Sequence, residues 1–274
     1  MAKARIRFIM SNMLFVRRIR LIKYLWYVGS LALIATQSVG LCGAQPVLFV
    51  HGIADTYKQA FRYYNLGMFS RPFYTFNFPD ATESFIRVDR AKTTFGQEDE
   101  LACLHNAYQQ VIHCQPDQDI VLYGVSRGAV AILNYIALQK PGSVKAIILE
   151  SPFVAFDDVV EHISKACGFD RVPLASRIVR GIASVIFPRY NWHGIKPIDL
   201  IAEVPRDLPI LLICSEEDQL VPCSSTERLY EELCKAGCIK VQLLKLPGGR
   251  HGKLFLSPVS WQMYKEAVHA FYQK

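Results

Sequence analysis

The first 44 residues contain no aspartate or glutamate, yet Lys3, Arg5, Arg7, Arg17, Arg18, Arg20 and Lys23 all fall within them. That stretch carries the whole formal charge of +7, because the remaining 24 Lys and Arg equal the 24 Asp and Glu of the chain. The body is therefore electrically neutral. It has no basic stripe on a periodic helix and no zinc-ligand spacing, which speaks against a nucleic-acid partner. No CxxC pair or Cys/His spacing points to a metal. Internal repeats and low-complexity segments are also missing, which removes solenoid and linker-rich architectures. At 274 residues, with 51% hydrophobic and 20% charged positions, the chain can build one large core or two small ones.

The basic N-terminus precedes an apolar run, LWYVGSLALIA (25–35), and a more polar TQSVGLCGA (36–44) that ends in small residues. Cys42 and Ala44 suit a cleavage site, making Gln45 the first mature residue. The uncharged stretch 24–44 also approaches the roughly 20 residues that cross a bilayer. Residues 1–44 are expected to be a signal peptide or an N-terminal membrane anchor, with membrane association through 24–44 in the second case. The body is then exported (periplasmic or secreted) or membrane-anchored. Of the eight cysteines, Cys214 ends an apolar strand-like run and reads as a buried free thiol. Cys223, Cys234 and Cys238 flank one helix-like segment and could contain a pair.

From residue 45 onward, apolar runs alternate with helical patterns. The runs are VLFVH (47–51), FYTFNF (73–78), DIVLYG (119–124), VKAIILE (144–150), PILLICS (209–215) and KVQLLKL (240–246). Helix-like segments lie near 56–67, 97–114, 127–139, 225–236 and 259–272. Continuous apolar blocks are what strands covered on both faces look like. The alternation predicts an α/β fold, a mostly parallel sheet of about six strands with helices on both faces. Residues 152–205 are too long for one connecting helix and hold their own helical pattern, SRIVRGIASVIF (176–187). A short helical lid, about 155–205, is expected there, inserted before the penultimate strand and over the carboxyl rim where such sheets bind ligands.

Ser126 sits between Gly124 and Gly128, where the apolar run DIVLY meets the helix-like AVAILNYIAL. A Gly-x-Ser-x-Gly at such a junction forms a sharp turn that lifts the hydroxyl clear of the sheet. A serine hydroxyl needs a base, and the base an orienting carboxylate. In the elbow architecture they follow in the order Ser, acid, His, each just past a strand. PILLICS is followed by EEDQLVP, which offers Asp218, with Glu216 and Glu217 as competitors nearer the strand end. KVQLLKL is followed by PGGRHGK, which offers His251. The other six histidines read as surface or packing residues, His51 as one that steadies its loop. Developing oxyanion charge needs N–H donors. The backbone N–H of Arg127, after the nucleophile, and that of Ile53, in the loop after VLFVH, suit that role. For Arg127 the backbone is expected to matter more than the side chain.

These pieces together resemble the α/β-hydrolase family, and the likeness covers nearly all of residues 45–274. VHGIAD, GVSRGA, SEEDQLVP and GGRHG are similar to its oxyanion, nucleophile, acid and histidine motifs. ILESPF (148–153) and GIKPIDLI (194–201) look like its serine-peptidase and lipase-like branch. The resemblance implies Ser126, Asp218 and His251 as the triad and the Ile53 and Arg127 N–H groups as the oxyanion hole. A Ser-His-Asp mechanism needs no cofactor, and the apolar helix 176–187 with the aromatic loop around Tyr190 and Trp192 points to a small-molecule or acyl ester substrate. The family usually begins with two further strands, whereas here the leader runs almost directly into VLFVH. The expected function is a serine hydrolase that cleaves a carboxylic ester. A peptidase or acyl-thioesterase on the same scaffold, or a hydrolase-like protein that only binds, are the alternatives.

Overall fold

The computed structural model describes residues 32–34, 45–67, 69, 72–81, 89–168 and 175–272. The proposed cleavage site and most of the leader lie outside the described residues. Six strands run parallel: β2 (Val47–Val50), β3 (Phe73–Thr75), β4 (Ile120–Val125), β5 (Val144–Glu150), β6 (Ile210–Ser215) and β7 (Val241–Leu246). They stand in the order β3-β2-β4-β5-β6-β7, and β1 (Ala32–Ile34) joins the β3 edge antiparallel. All six expected strands are present. β1 was not among the expected strands: Ala32–Ile34 lies inside the apolar stretch read as leader. Among the described residues no helix is long and apolar enough to cross a membrane.

Period-2 alternation explains how the sheet is covered. Val47, Phe49, Val121, Tyr123, Val125, Ala146, Ile148, Leu211 and Ile213 join one buried cluster with Tyr63, Tyr264 and Val268. The residues between them are equally buried, among them Leu48, Leu122, Leu149 and Leu212. Both faces are therefore packed, as a parallel sheet requires. One covering helix is α1 (Lys58–Tyr64), and the others are α2 (Glu98–Cys114), α3 (Arg127–Gln139), α7 (Cys223–Lys235) and α8 (Trp261–Tyr272). α3 is buried from Arg127 to Ala137. Glu98, Asp99 and Glu100 in the first turn of α2 suit the positive end of its dipole.

Strand register aligns the carboxyl ends. Val50 lies beside Gly124, Val125 beside Glu150, and Ser215 beside Leu246. The segments following β2, β4, β5, β6 and β7 thus emerge along one rim. Between β5 and β6 the chain forms α4 (Phe156–Ala166), α5 (Ala175–Ile186) and the short α6 (Pro197–Leu200). α4 was not legible as a separate helix in the sequence. This segment supplies Phe153, Phe156, Val159, Val160, Ala183 and Tyr190 to a second cluster, with Phe95, Val130 and Val221. The side chains of Val179, Phe187, Trp192 and Ile53 pack against it. Gln97 ties the segment's far end to the head of α2. Its Nε2 donates to Asn191 O and Ile195 O at 3.0 Å each, and its Oε1 accepts the Asn191 N–H at 3.1 Å.

Candidate active site

β4 ends at Val125 and α3 begins at Arg127, leaving Ser126 alone in the turn with φ +54° and ψ −117°. A non-glycine residue in so sparsely populated a region costs about 1–3 kcal/mol and needs surroundings that enforce it. The two glycines show how close those surroundings are. A Cβ at Gly124 would lie 2.6 Å from Ala129 N, and one at Gly128 would lie 2.1 Å from Val50 O. Both positions must be glycine for the turn to close. The Ser126 N–H is anchored on Glu150 O at 2.7 Å, and Ser126 O accepts the Val130 N–H at 3.1 Å.

Three residues that are far apart in the chain meet at this turn. His251 Nε2 lies 2.8 Å from Ser126 Oγ, and His251 Nδ1 lies 2.8 Å from Asp218 Oδ2. Since a carboxylate only accepts, Nδ1 carries the ring hydrogen and Nε2 is free to accept from the serine. Asp218 is chosen over its neighbours by geometry. Its carboxylate is wholly buried, whereas Glu216 is 60% exposed and pairs with Lys245, and Glu217 accepts the Gly249 N–H. Oδ1 of Asp218 takes the N–H groups of Leu220 (2.9 Å) and Val221 (3.0 Å). Oδ2 takes the Ser151 hydroxyl at 2.9 Å as well as the imidazole. Burial alone would raise the Asp218 pKa. The hydrogen bond and charge of His251 and the two backbone donors outweigh burial and hold it below the ordinary carboxylate range.

The expected oxyanion donors flank the same turn. Among the described residues neither the Ile53 nor the Arg127 N–H is taken by another protein group. An unpaired N–H is the normal condition of a first helical residue such as Arg127. His51 is a loop residue here, as its sequence context suggests. Its Nε2 accepts the Phe78 N–H at 3.2 Å, so Nδ1 is the donor to Gly52 O at 2.9 Å. Burial, reinforced by the nearby Arg127 charge, lowers its pKa to about 3.

Several neighbours were not found by sequence reasoning. Ser151, with φ +48°, reaches Asp218 from the end of β5. Glu150, one residue earlier, is wholly buried and caged by tyrosines. Tyr63 OH reaches Oε1 at 2.8 Å, while Tyr123 (3.0 Å) and Tyr264 (2.8 Å) reach Oε2, and the last two hydroxyls also touch each other. Burial raises the Glu150 pKa, and the tyrosine hydrogen bonds offset only part of that. Arg127 is buried to its tip, so its side chain has a role that the sequence reading discounted. Cys214 is not a free thiol: it is bonded to Cys223, with Cα atoms 5.2 Å apart. Cys214 is the next-to-last residue of β6 and Cys223 the first of α7, so the connection carrying Asp218 returns to its starting point. Cys234 and Cys238, at the other end of that helix, are unbridged. Among the described residues no group of three or more His, Cys, Asp or Glu side chains is placed to hold a metal ion.

Residues 86–274 match the model of the prolyl oligopeptidase family. Among curated proteins, the uncharacterized protein YqkD of Bacillus subtilis is 28% identical over 117 residues. That alignment covers 41% of this chain and only 36% of the relative. Among solved structures, the Pyrococcus furiosus esterase Pf2001 superposes with a TM-score of 0.63 at 18% identity, covering 85% of this chain and 82% of that one. The Pyrococcus horikoshii acylaminoacyl peptidase gives 0.59 at 19% identity, over 85% of this chain and 38% of the other. These structural likenesses carry the fold.

Proposed function

The chain belongs to the prolyl oligopeptidase family, and on that footing we propose that it is a serine hydrolase whose substrate is a carboxylic ester. One observation carries the reading: a single imidazole touches Ser126 Oγ on one side and the Asp218 carboxylate on the other, at 2.8 Å each. Ser126 Oγ attacks the acyl carbonyl as its proton passes to His251 Nε2. Asp218 keeps Nδ1 protonated and stabilises the imidazolium. The Ile53 and Arg127 N–H groups receive the oxyanion. Collapse breaks the ester C–O bond, and His251 returns the proton to the leaving alkoxide. Water, deprotonated by the same imidazole, then frees the acid and restores the serine.

The choice of an ester rests on an apolar cluster: Phe153, Phe156, Tyr190 and Val221 pack together, with Ile53 against them, joining the loop after β2 to the loop after β6. A substrate amine would need a free carboxylate. Asp80 and Glu100 are paired with Arg127, and Glu150 is held by tyrosines. In this reading the segment from α4 to α6 is a lid bearing on an apolar acyl group. The peptidase alternative draws support from the family and from the acylaminoacyl peptidase likeness.

The test is labelling by a fluorophosphonate, followed by a chain-length series of p-nitrophenyl esters beside an N-acyl-peptide anilide. Labelling is expected in the unaltered protein and not in Ser126→Ala. Ester turnover is expected to fall at least about 10⁴-fold in that variant and in His251→Ala. Labelling of Ser126→Ala would identify another nucleophile, and faster anilide than ester turnover would favour the peptidase. We also read the leader as exporting or anchoring the domain. Cell fractionation that finds the protein only in the cytoplasm would overturn that.

A further inference from the structure

A trans peptide unit carries its C=O and N–H on opposite sides. Whatever fixes the Gly52 carbonyl therefore also sets the direction of the Ile53 N–H. Two donors hold that carbonyl: His51 Nδ1 at 2.9 Å and Arg127 Nη2 at 3.1 Å. The guanidinium is itself gripped from behind. Its Nη1 lies 2.5 Å from Asp80 Oδ2, 3.4 Å from Glu100 Oε1 and 3.5 Å from Thr93 Oγ1. The Phe78 ring centroid is 4.5 Å from its Cζ. Glu100 is pinned in turn by the N–H groups of Thr94 and Gly96, at 2.7 Å each. Preceding the peptide, the Gly52 N–H is fixed on Gln59 Oε1 at 2.8 Å.

We propose that the Arg127 side chain is a positioning residue of the oxyanion site: it aims the Ile53 N–H at the point that the Arg127 backbone N–H also serves. One residue thus supplies one donor through its main chain and directs the other through its side chain. The guanidinium beside the carbonyl also polarises the peptide and strengthens its N–H as a donor. A buried ion pair is a poor source of stability, because desolvation offsets its attraction. Holding a carbonyl next to the nucleophile is a task that an apolar replacement cannot perform. His51, neutral in the fold, shares the carbonyl but brings no charge.

The inference rests on the serine-hydrolase reading, so the test reads phosphonylation of Ser126, which needs the same oxyanion donors whatever the natural substrate. The second-order rate of fluorophosphonate labelling is measured for the unaltered protein and for Arg127→Lys, with near-UV circular dichroism to count folded molecules. The lysine keeps the charge but not the fork that bridges Asp80 to Gly52 O. Labelling of the folded fraction is expected to slow about 10- to 100-fold, with kcat for the best ester falling in step and KM changing less than about threefold. A purely structural arginine would lower the melting temperature and leave those rates within about threefold per folded molecule, which overturns the proposal. If the lysine variant is recovered only unfolded, the neutral pair R127Q with D80N is read in the same way. Loss of the fold in both also counts against the proposal, since the side chain would then serve stability before the loop. No labelling of the unaltered protein would instead defeat the hydrolase reading itself.

Discussion

Two carboxylates leave the sheet at neighbouring strand ends, Glu150 closing β5 and Asp218 just past β6, and both are shut away from solvent. Burial pushes both pKa values upward, so burial cannot be what separates them. Their partners do. Asp218 meets an imidazole and two backbone N–H groups, and its pKa is held below the usual range. Glu150 meets three neutral tyrosine hydroxyls, and its pKa stays raised. The lesson is that a partner able to turn cationic reverses the upward push of burial on a carboxylate, whereas hydroxyl partners offset only part of it.

The largest expected effect pits one carboxyl against the other. Asp218→Asn is expected to lower kcat by about 10³- to 10⁴-fold by upsetting the imidazole tautomer, whereas Glu150→Gln is expected to stay within about threefold. Comparable losses in both would erase the distinction. Their pH dependences of stability, followed by urea unfolding, run in opposite directions. The depressed Asp218 pKa stabilises the fold above the unfolded-state carboxylate range, and that contribution is lost as pH falls through the folded value. The raised Glu150 pKa costs stability as pH climbs from the ordinary range towards the folded value. Asp218→Asn should therefore flatten the acid side of the profile, and Glu150→Gln the decline above it.

A middle-sized effect concerns the cage. Tyr264→Phe removes one donor from a buried carboxyl and should cost about 1–3 kcal/mol, lowering Tm by several degrees while kcat holds. The smallest effect belongs to Ser151→Ala, which strips one of two donors from Asp218 Oδ2. A fall in kcat of about three- to tenfold, with Tm nearly unchanged, would place Ser151 with the Asp218 carboxylate. A drop in Tm alone would place it with the cage.

What could be read in advance follows a physical rule. Ser126, Asp218 and His251 each lie just past a strand, in loops that short local patterns announce, so their meeting followed from strand order alone. The Glu150 cage joins residues 87, 27 and 114 positions away, and no local pattern marks such pairings. The Arg127 side chain was undervalued because its partners Asp80 and Glu100 lie outside every motif. β1 was hidden by composition, since Ala32–Ile34 sits inside an apolar stretch that reads equally well as a targeting segment. The Cys214–Cys223 bond was within reach: a strand end and a helix start nine residues apart bound one tight return.

That bond also closes residues 214–223 into a covalent ring. A protease that cuts one peptide inside it releases nothing: the two halves of the chain stay joined through sulfur, and Asp218 stays tethered beside the imidazole. Such a nicked molecule would run as one band on a non-reducing gel and part into two once thiol is added.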